Sequence, residues 1–324
     1  MLRPACLSLL VLLPIPALAQ DFPLTIDHRF GTTVIPAAPE RVASVDYAGA
    51  DDLLALGVQP VTIRHWYGDH PRAVWPWADP LLADPDPVIL RGDLDLEAIA
   101  AADPDVIIAL WSGIDADQYA QLSLIAPVVA VPPGVGDYAL PWDTRALLTG
   151  QAIGRAAEAE ARVAAINAQL DAIADAHPDW QGLTAAVAHN WEGTPGAYTA
   201  TDIRPQILAR MGFVNAPGVE ALATAPDQFV VDLSPEDLSP LDVDLLLWVS
   251  TDDVFANVLD MPARPFMPAV AEGREVFVGA DLTAAFSHAS LLSLPFAIDA
   301  LVPMIAAARD GDPATHADQR PAGL

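Results

Sequence analysis

Two short windows concentrate the side chains that could do chemistry. Arg64-His65-Trp66-Tyr67-Gly68-Asp69-His70 puts a guanidinium, two imidazoles, two aromatic rings and a carboxylate into seven residues. His189-Asn190-Trp191-Glu192-Gly193 does the same on a smaller scale. Trp111-Ser112-Gly113 follows an apolar run, Tyr198 and Arg204 flank a turn, and Phe286-Ser287-His288 comes late in the chain. Rings with one polar edge suit a bulky, partly polar ligand. A guanidinium offers forked donors to paired oxygens, which suits an anionic one. The candidate contacts are Arg64, Trp66, Tyr67 and Trp111, then Trp191, Tyr198, Arg204 and Phe286, with Arg72 behind them. Trp75, Trp77, Trp142 and Trp180 are expected to pack rather than to bind, Trp75 and Trp77 by holding their loop over the first lobe.

The same residues do not compose a metal or enzyme motif. The five-residue separation of His65 and His70 matches no zinc signature. His65, His189 and His288 are the candidates for a metal contact, and no resident metal or cofactor is expected. The sequence holds no G-x-S-x-G elbow, no phosphate-binding G-x-x-x-x-G-K loop and no H-E-x-x-H. Asp103-Pro104-Asp105 and Asp242-Val243-Asp244 precede apolar runs, where turn and capping roles are expected. A cleft hydrolase or metal-dependent enzyme stays as the alternative class.

These windows need elements to position them. From residue 41 short β-rich runs alternate with helical ones: strands at 41–45, 58–64, 88–90, 106–110 and 128–131, helices at 49–56, 96–102 and 117–126. Beyond residue 180 the alternation resumes, with strands at 184–189, 197–199, 229–231, 245–249 and 276–278 and helices at 203–211 and 291–308. Such alternation argues parallel sheets covered on both faces, with ligands outside the carboxyl ends of the strands. The chemistry-bearing windows all follow a strand. Between the two halves, Leu148, Ala152, Ala156, Ala159, Val163, Ile166, Leu170 and Ile173 recur at spacings of three and four, with Asp143 or Thr144 to cap and Pro178 to stop. That predicts one helix of about 30 residues, roughly 45 Å long, and hence little hinge motion. Residues 94–110 and 233–249 align without a gap, superposing Glu97 on Glu236 and Asp105 on Asp244. Each unit reads as a capped short helix, an Asp-x-Asp turn and a buried strand.

Composition bounds the function. A formal charge of −28 with no lysine repels phosphate backbones and excludes nucleic-acid partners. A hydrophobic content of 53% excludes a disordered acidic chain. Residues 1–19 carry Arg3, an apolar run and Ala17-Leu18-Ala19, which reads as a cleavable signal peptide, too short and too rich in proline to span a membrane. The one cysteine, Cys6, lies inside it. An exported, periplasmic protein without disulfides is expected.

The order of several motifs resembles the iron-siderophore and cobalamin class of periplasmic binding proteins that serve ABC importers. The carriers are His28-Arg29-Phe30-Gly31 with Ile35-Pro36-Ala37-Ala38-Pro39-Glu40-Arg41-Val42, then Leu56-Gly57-Val58, then Leu96-Glu97-Ala98-Ile99 through Pro104-Asp105-Val106-Ile107-Ile108, and Gly212-Phe213-Val214-Asn215. The resemblance implies an α/β fold of class III type: two Rossmann-like lobes bridged by a single long α-helix, with residues 20–142 and 179–310 as the lobes, 143–178 as the linker helix and 311–324 as a flexible tail. It implies a monomer that takes a ferric siderophore into the interlobe cleft, iron entering only as part of the chelate. It implies delivery to ABC permease subunits, membrane contact only through them, and Glu97 and Glu236 as the docking carboxylates. On residues alone, both carboxylates fit the first turn of a helix, where Asp95 and Ser234 could cap and Pro235 fits the first position. Cobalamin or haem as ligand, and a sensor on the same scaffold, remain as alternatives.

Overall fold

A computed structural model describes residues 21–83, 85–251, 255–312, 315 and 317–318. The signal peptide expected at 1–19 lies outside the described residues. The first lobe opens with an antiparallel hairpin, β1 (Leu24–His28) and β2 (Gly31–Ile35). It continues with β3 (Val42–Ser44), α1 (Gly49–Ala55), β4 (Pro60–Arg64), β5 (Val88–Leu90), α2 (Leu96–Ala101), β6 (Val106–Ala109), α3 (Ala116–Leu122) and β7 (Val128–Ala130). Its five main strands form a wholly parallel sheet in the order β5-β4-β3-β6-β7. The hairpin clamps onto the β7 edge through Thr33 Oγ1 to the Val128 carbonyl (2.7 Å) and the Arg29 amide to the Val131 carbonyl (2.9 Å).

The segment expected as one continuous helix of about 30 residues is two, the second of which is the long helix that bridges the lobes. α4 (Trp142–Ala152) ends at Gly154, whose φ of +72° is left-handed, and α5 (Ala156–Ala176) starts after it. The Arg155 amide returns to the Gly150 carbonyl (2.7 Å) and the Gly154 amide to Gln151 (3.3 Å), the paired bonds that close a helix at a left-handed residue. The bridging helix is therefore 21 residues long, about 32 Å. Gly150 lets the two helices cross, since a Cβ there would sit 2.4 Å from that of Ala159. The apolar stripe is as read: Ala152, Ala159, Val163, Ile166 and Leu170 are buried, in a core that runs through both lobes. A 3-10 turn at Pro178–Trp180 stops α5, with Trp180 packed in.

The second lobe runs β8 (Thr184–Trp191), β9 (Thr194–Tyr198), α6 (Ile203–Arg210), β10 (Val214–Asn215), α7 (Pro217–Glu220), β11 (Val230–Asp232), β12 (Leu245–Val249), α8 (Ala256–Leu259), α9 (Pro268–Ala271), β13 (Glu275–Val278), α10 (Ala280–His288), α11 (Ser293–Ala307) and β14 (Ala317–Asp318). Its seven strands form a mixed sheet, β11-β9-β8-β12-β13-β14 with β10 against the start of β8. The all-parallel expectation fails here. β8 turns straight back into β9 through Glu192-Gly193, both at positive φ, a two-residue hairpin. The tail expected to be flexible contributes β14, which pairs with β13. No helix among the described residues is long and apolar enough to cross a membrane.

The internal repeat has a structural meaning in one half of its pattern. Asp105, ahead of β6, accepts the Glu40 and Arg41 amides that lead into β3, its parallel neighbour. Asp244, ahead of β12, accepts the amide and hydroxyl of Thr184 at the start of β8, again the parallel neighbour. The helix halves differ. In the first lobe, Asp95 caps α2 by accepting the Ala98 amide (2.9 Å). In the second, residues 234–237 form a bridged turn, Asp237 accepts the Ser239 amide, and a 3-10 turn follows at Ser239–Leu241. That local bonding and Pro240 leave no room for the expected helix.

Candidate functional site

The carboxyl ends of the first lobe's strands carry an aromatic wall. Tyr47 follows β3, Trp66 and Tyr67 follow β4, Trp111 follows β6, and Tyr138 lies on the loop before α4. Trp66 stands edge-on to Trp111 (5.2 Å between centroids) and to Tyr67 (4.7 Å), and Trp111 edge-on to Tyr138 (5.6 Å). Arg64 lies over the Tyr47 ring at 4.1 Å and donates to the Ser112 carbonyl (2.9 Å), so three strand ends are tied together. Gly113 is required behind the wall, because any Cβ would strike the Tyr138 hydroxyl at 2.2 Å.

The second lobe meets this wall from the other side. His288, at the end of α10, reaches Trp66 (5.2 Å), Trp77 (5.8 Å), Trp75 (6.0 Å) and Tyr67 (6.2 Å). Trp75 and Trp77 thus do more than hold their loop over the first lobe; they also touch the second. Tyr138 meets Phe229 at 6.1 Å. Burial pushes the Tyr67 phenol up, with Ser287 and Arg204 of the second lobe pulling partly back. Arg204 forks onto Asp202 (2.8 and 3.0 Å), extends toward Ser287 Oγ (3.4 Å) and covers the Tyr198 ring at 3.6 Å. Burial opposes the Arg204 charge, but Asp202 and Tyr198 hold it above the ordinary arginine value. Burial raises Tyr198 to about 12.

Trp191 is the most open of the candidates, 46% exposed, and stacks on the His189 ring at 3.7 Å. It helps to line a cavity of about 330 Å³ at the ends of β8 and β12, with Asn190, Glu192, Ser250, Thr251 and Asn257. Four of the candidates are buried: Trp111 (4% exposed), Arg204 (7%), Tyr198 (2%) and Phe286. Phe286 is 0% exposed inside the core, and Tyr198 lies beneath Arg204, so neither offers a surface to a ligand here. Arg72 turns away to Asp79 and Asp86.

The three histidines stand apart. His65 Nε2 pairs with the Gly68 carbonyl (2.9 Å) and His288 Nδ1 with the Ala284 carbonyl (2.8 Å). Burial lowers His189 to about 4 and His288 to about 3, so both are neutral at pH 7. Among the described residues, no group of three or more His, Cys, Asp or Glu could hold a metal ion.

A buried polar cluster that sequence reading passed over joins the lobes behind the wall. Arg145 of α4, 0% exposed, binds Asp52 of α1 (3.1 Å) and the His288 and Ala289 carbonyls (2.7 and 2.9 Å). Asp52 also accepts the Leu291 amide (2.9 Å), and Asp51 accepts the Ser290 hydroxyl and the Trp77 indole, both at 2.7 Å. Asp46 accepts the Trp111 amide at 2.8 Å. Burial raises Asp46 and Asp51 to about 6 and raises Asp52, against the pull of Arg145. The available signal was an acidic pair inside the apolar helix 49–56 and an arginine inside the apolar helix that follows residue 142.

Residues 42–282 match the family model described as a periplasmic binding protein. The chain belongs to the periplasmic binding protein family. Among its relatives, the probable siderophore-binding lipoprotein YfiY of Bacillus subtilis (strain 168) is 29% identical, over 69% of this chain and 68% of its own. The Fe(3+) dicitrate-binding periplasmic protein FecB of Escherichia coli (strain K12) is 28% identical over 64% and 67%. A periplasmic solute binding protein from Mycobacterium smegmatis superposes with a TM-score of 0.76 at 33% identity, over 87% of this chain and 97% of that one. Streptococcus pneumoniae PiaA in complex with ferrichrome shares the fold, with a TM-score of 0.75 at 24% identity over 89% and 99%. Periplasmic binding proteins are substrate-binding proteins rather than enzymes, and the two-lobe architecture expected from the motifs is that of the family.

Glu97 and Glu236 are both exposed. Glu97 sits in the first turn of α2, and Glu236 in the bridged turn, bonded by the Ser234 hydroxyl (3.1 Å).

Proposed function

We propose that this periplasmic binding protein captures a ferric siderophore between its lobes and delivers it to an ABC importer. The observation that carries the reading is the aromatic wall of Tyr47, Trp66, Trp111 and Tyr138 at the strand ends, closed by His288 and Phe229 of the opposite lobe. The siderophore-binding role of YfiY and the Fe(3+) dicitrate-binding role of FecB supply the ligand class. Binding is reversible and the chain performs no covalent chemistry. Arg64, Trp66, Tyr67, Trp111 and Trp191 are the contacts, and iron enters inside its chelate without a resident cofactor. The signal peptide at residues 1–19 sends the chain to the periplasm, where it acts as a monomer and docks permease arginines through Glu97 and Glu236. Exposed carboxylates at such an interface orient the partner more than they tighten it.

Tryptophan fluorescence of the mature protein tests the reading. Four of the eight tryptophans (Trp66, Trp75, Trp77, Trp111) belong to or adjoin the wall, so a ligand there quenches emission. A ferric siderophore should give saturable quenching that its iron-free form does not. Saturation only by haem or cobalamin would keep the binding role and replace the ligand. Turnover of any bound compound would reverse the reading in favour of an enzyme.

A further inference from the structure

Most guanidinium groups around the cleft already have partners, though Arg145 Nη1 and Arg64 Nε have none among the described residues. Arg204 gives its Nε–Nη2 edge to Asp202 and points Nη1 at Ser287 Oγ (3.4 Å). Arg145 lies behind Trp111, on Asp52 and two carbonyls. Arg72 faces outward onto two aspartates, and Arg91 is exposed on the carbonyls of His70 and Pro71. Arg64 is the one wall arginine with no carboxylate in ion-pair range among the described residues, and it leans on carbonyls and the Tyr47 ring. Against Arg64, Arg145 and Arg204 stand Asp46, Asp51, Asp52 and Asp202. The site thus has no surplus of positive charge, inside a chain of −28.

We propose that the cleft selects ferric chelates of near-zero net charge, in which three singly charged bidentate oxygen donors of the hydroxamate type neutralise Fe(III), and rejects trianionic tris-catecholates. This rests on the ferric-siderophore reading above. A buried charge is costly unless it is paired. A chelate of charge −3 would find two guanidinium groups without a carboxylate partner among the described residues, Arg64 in the wall and the exposed Arg91, against four carboxylates around the cleft and a repelling long-range field. A neutral chelate loses little on leaving water, presents apolar edges to the rings, and keeps exposed donor oxygens for Arg64.

The test titrates the mature full-length chain with a neutral ferric trihydroxamate, a trianionic ferric tris-catecholate and both iron-free chelators. The neutral chelate should bind about 100-fold tighter than the trianion, more than 2 kcal/mol expressed as affinity. Its affinity should change less than about threefold between roughly 0.05 and 0.5 M salt, since little net charge is involved. A trianion that binds within about tenfold of the neutral chelate, or tighter, overturns the selectivity while leaving the siderophore reading intact. Failure of every ferric chelate to bind sinks both. Asp202→Asn keeps a capping side chain but frees Arg204, and should shift the ratio at least about tenfold toward the trianion. An unchanged ratio in a folded variant counts against the charge balance as its cause; if that variant does not fold, the wild-type ranking decides.

Discussion

Arg64 ties three strand ends of the first lobe and Trp66 reaches the opposite lobe, so their truncation should be felt by the ligand and, less, by the fold. Replacing either with alanine should weaken chelate binding by about 1–3 kcal/mol, read from titration on the folded variant, with only a modest fall in melting temperature. Phe286→Ala should do the reverse: a cost of about 3–5 kcal/mol in urea unfolding, with affinity retained in whatever fraction stays folded. Wild-type affinity in both wall variants would remove those residues from the site. The rule that ligands lie beyond strand ends was enough to find Arg64, Trp66, Tyr67 and Trp111 together in the first lobe's wall, and Trp191 on a cavity of the second lobe. It could not tell them from Tyr198 and Phe286, because depth depends on what packs above, and that comes from Arg204 and from the core. Arg145 was hidden for the opposite reason. A charge inside an apolar helix reads as a surface interruption unless its acidic partner, 93 residues away, is known.

Periodicity reported which faces are apolar but not where the backbone turns. The stripe from Leu148 to Ile173 continues through Gly154 because α4 and α5 both bury alanines against the same core, so the break left no mark on the pattern. The glycine was the mark, as a left-handed helix terminus. Gly154→Ala should cost about 1–2 kcal/mol, read as a lower urea midpoint with an unchanged slope. No loss would mean that right-handed helical geometry can pass through residue 154, and that α4 and α5 can merge. Similarly, the β8–β9 hairpin rests on Glu192-Gly193, a weaker turn signal than Asn-Gly, and strand alternation alone did not reveal its direction. Asp105 and Asp244 were legible as a pair from the repeat, but their shared role in anchoring the neighbouring strand needs the sheet order.

The two lobes are held by more than the bridging helix. Asp51, Asp52 and Arg145 tie α1 and α4 to the turn between α10 and α11, in a place closed to water. Scattering curves of free and loaded protein should therefore nearly superimpose; a large compaction on binding would contradict the clamp. At the outer surface, Glu97→Ala with Glu236→Ala should leave chelate affinity intact and abolish uptake, whereas equal loss of both would assign those carboxylates to folding. The clamp also couples stability to pH. Burial lifts Asp51 from its ordinary 3.8 to about 6, partly offset by the Ser290 and Trp77 hydrogen bonds and by Arg145. The folded chain then holds a proton that the unfolded chain has released between those two values. Its contribution is greatest below 3.8 and is lost as pH rises through about 6. His189 and His288, lowered by burial, act the other way: their contribution is present above the ordinary 6.5 and is lost as pH falls toward about 4 and 3. The stability curve of the wild type mixes the two. Asp51→Asn separates them, because the variant keeps both histidines and lacks the carboxyl. From pH 7 to pH 4 the wild type should gain on the variant by about 1–3 kcal/mol in urea unfolding. A difference that stays constant over that range would show that Asp51 carries no proton in the fold and that Arg145 alone balances the acidic pair.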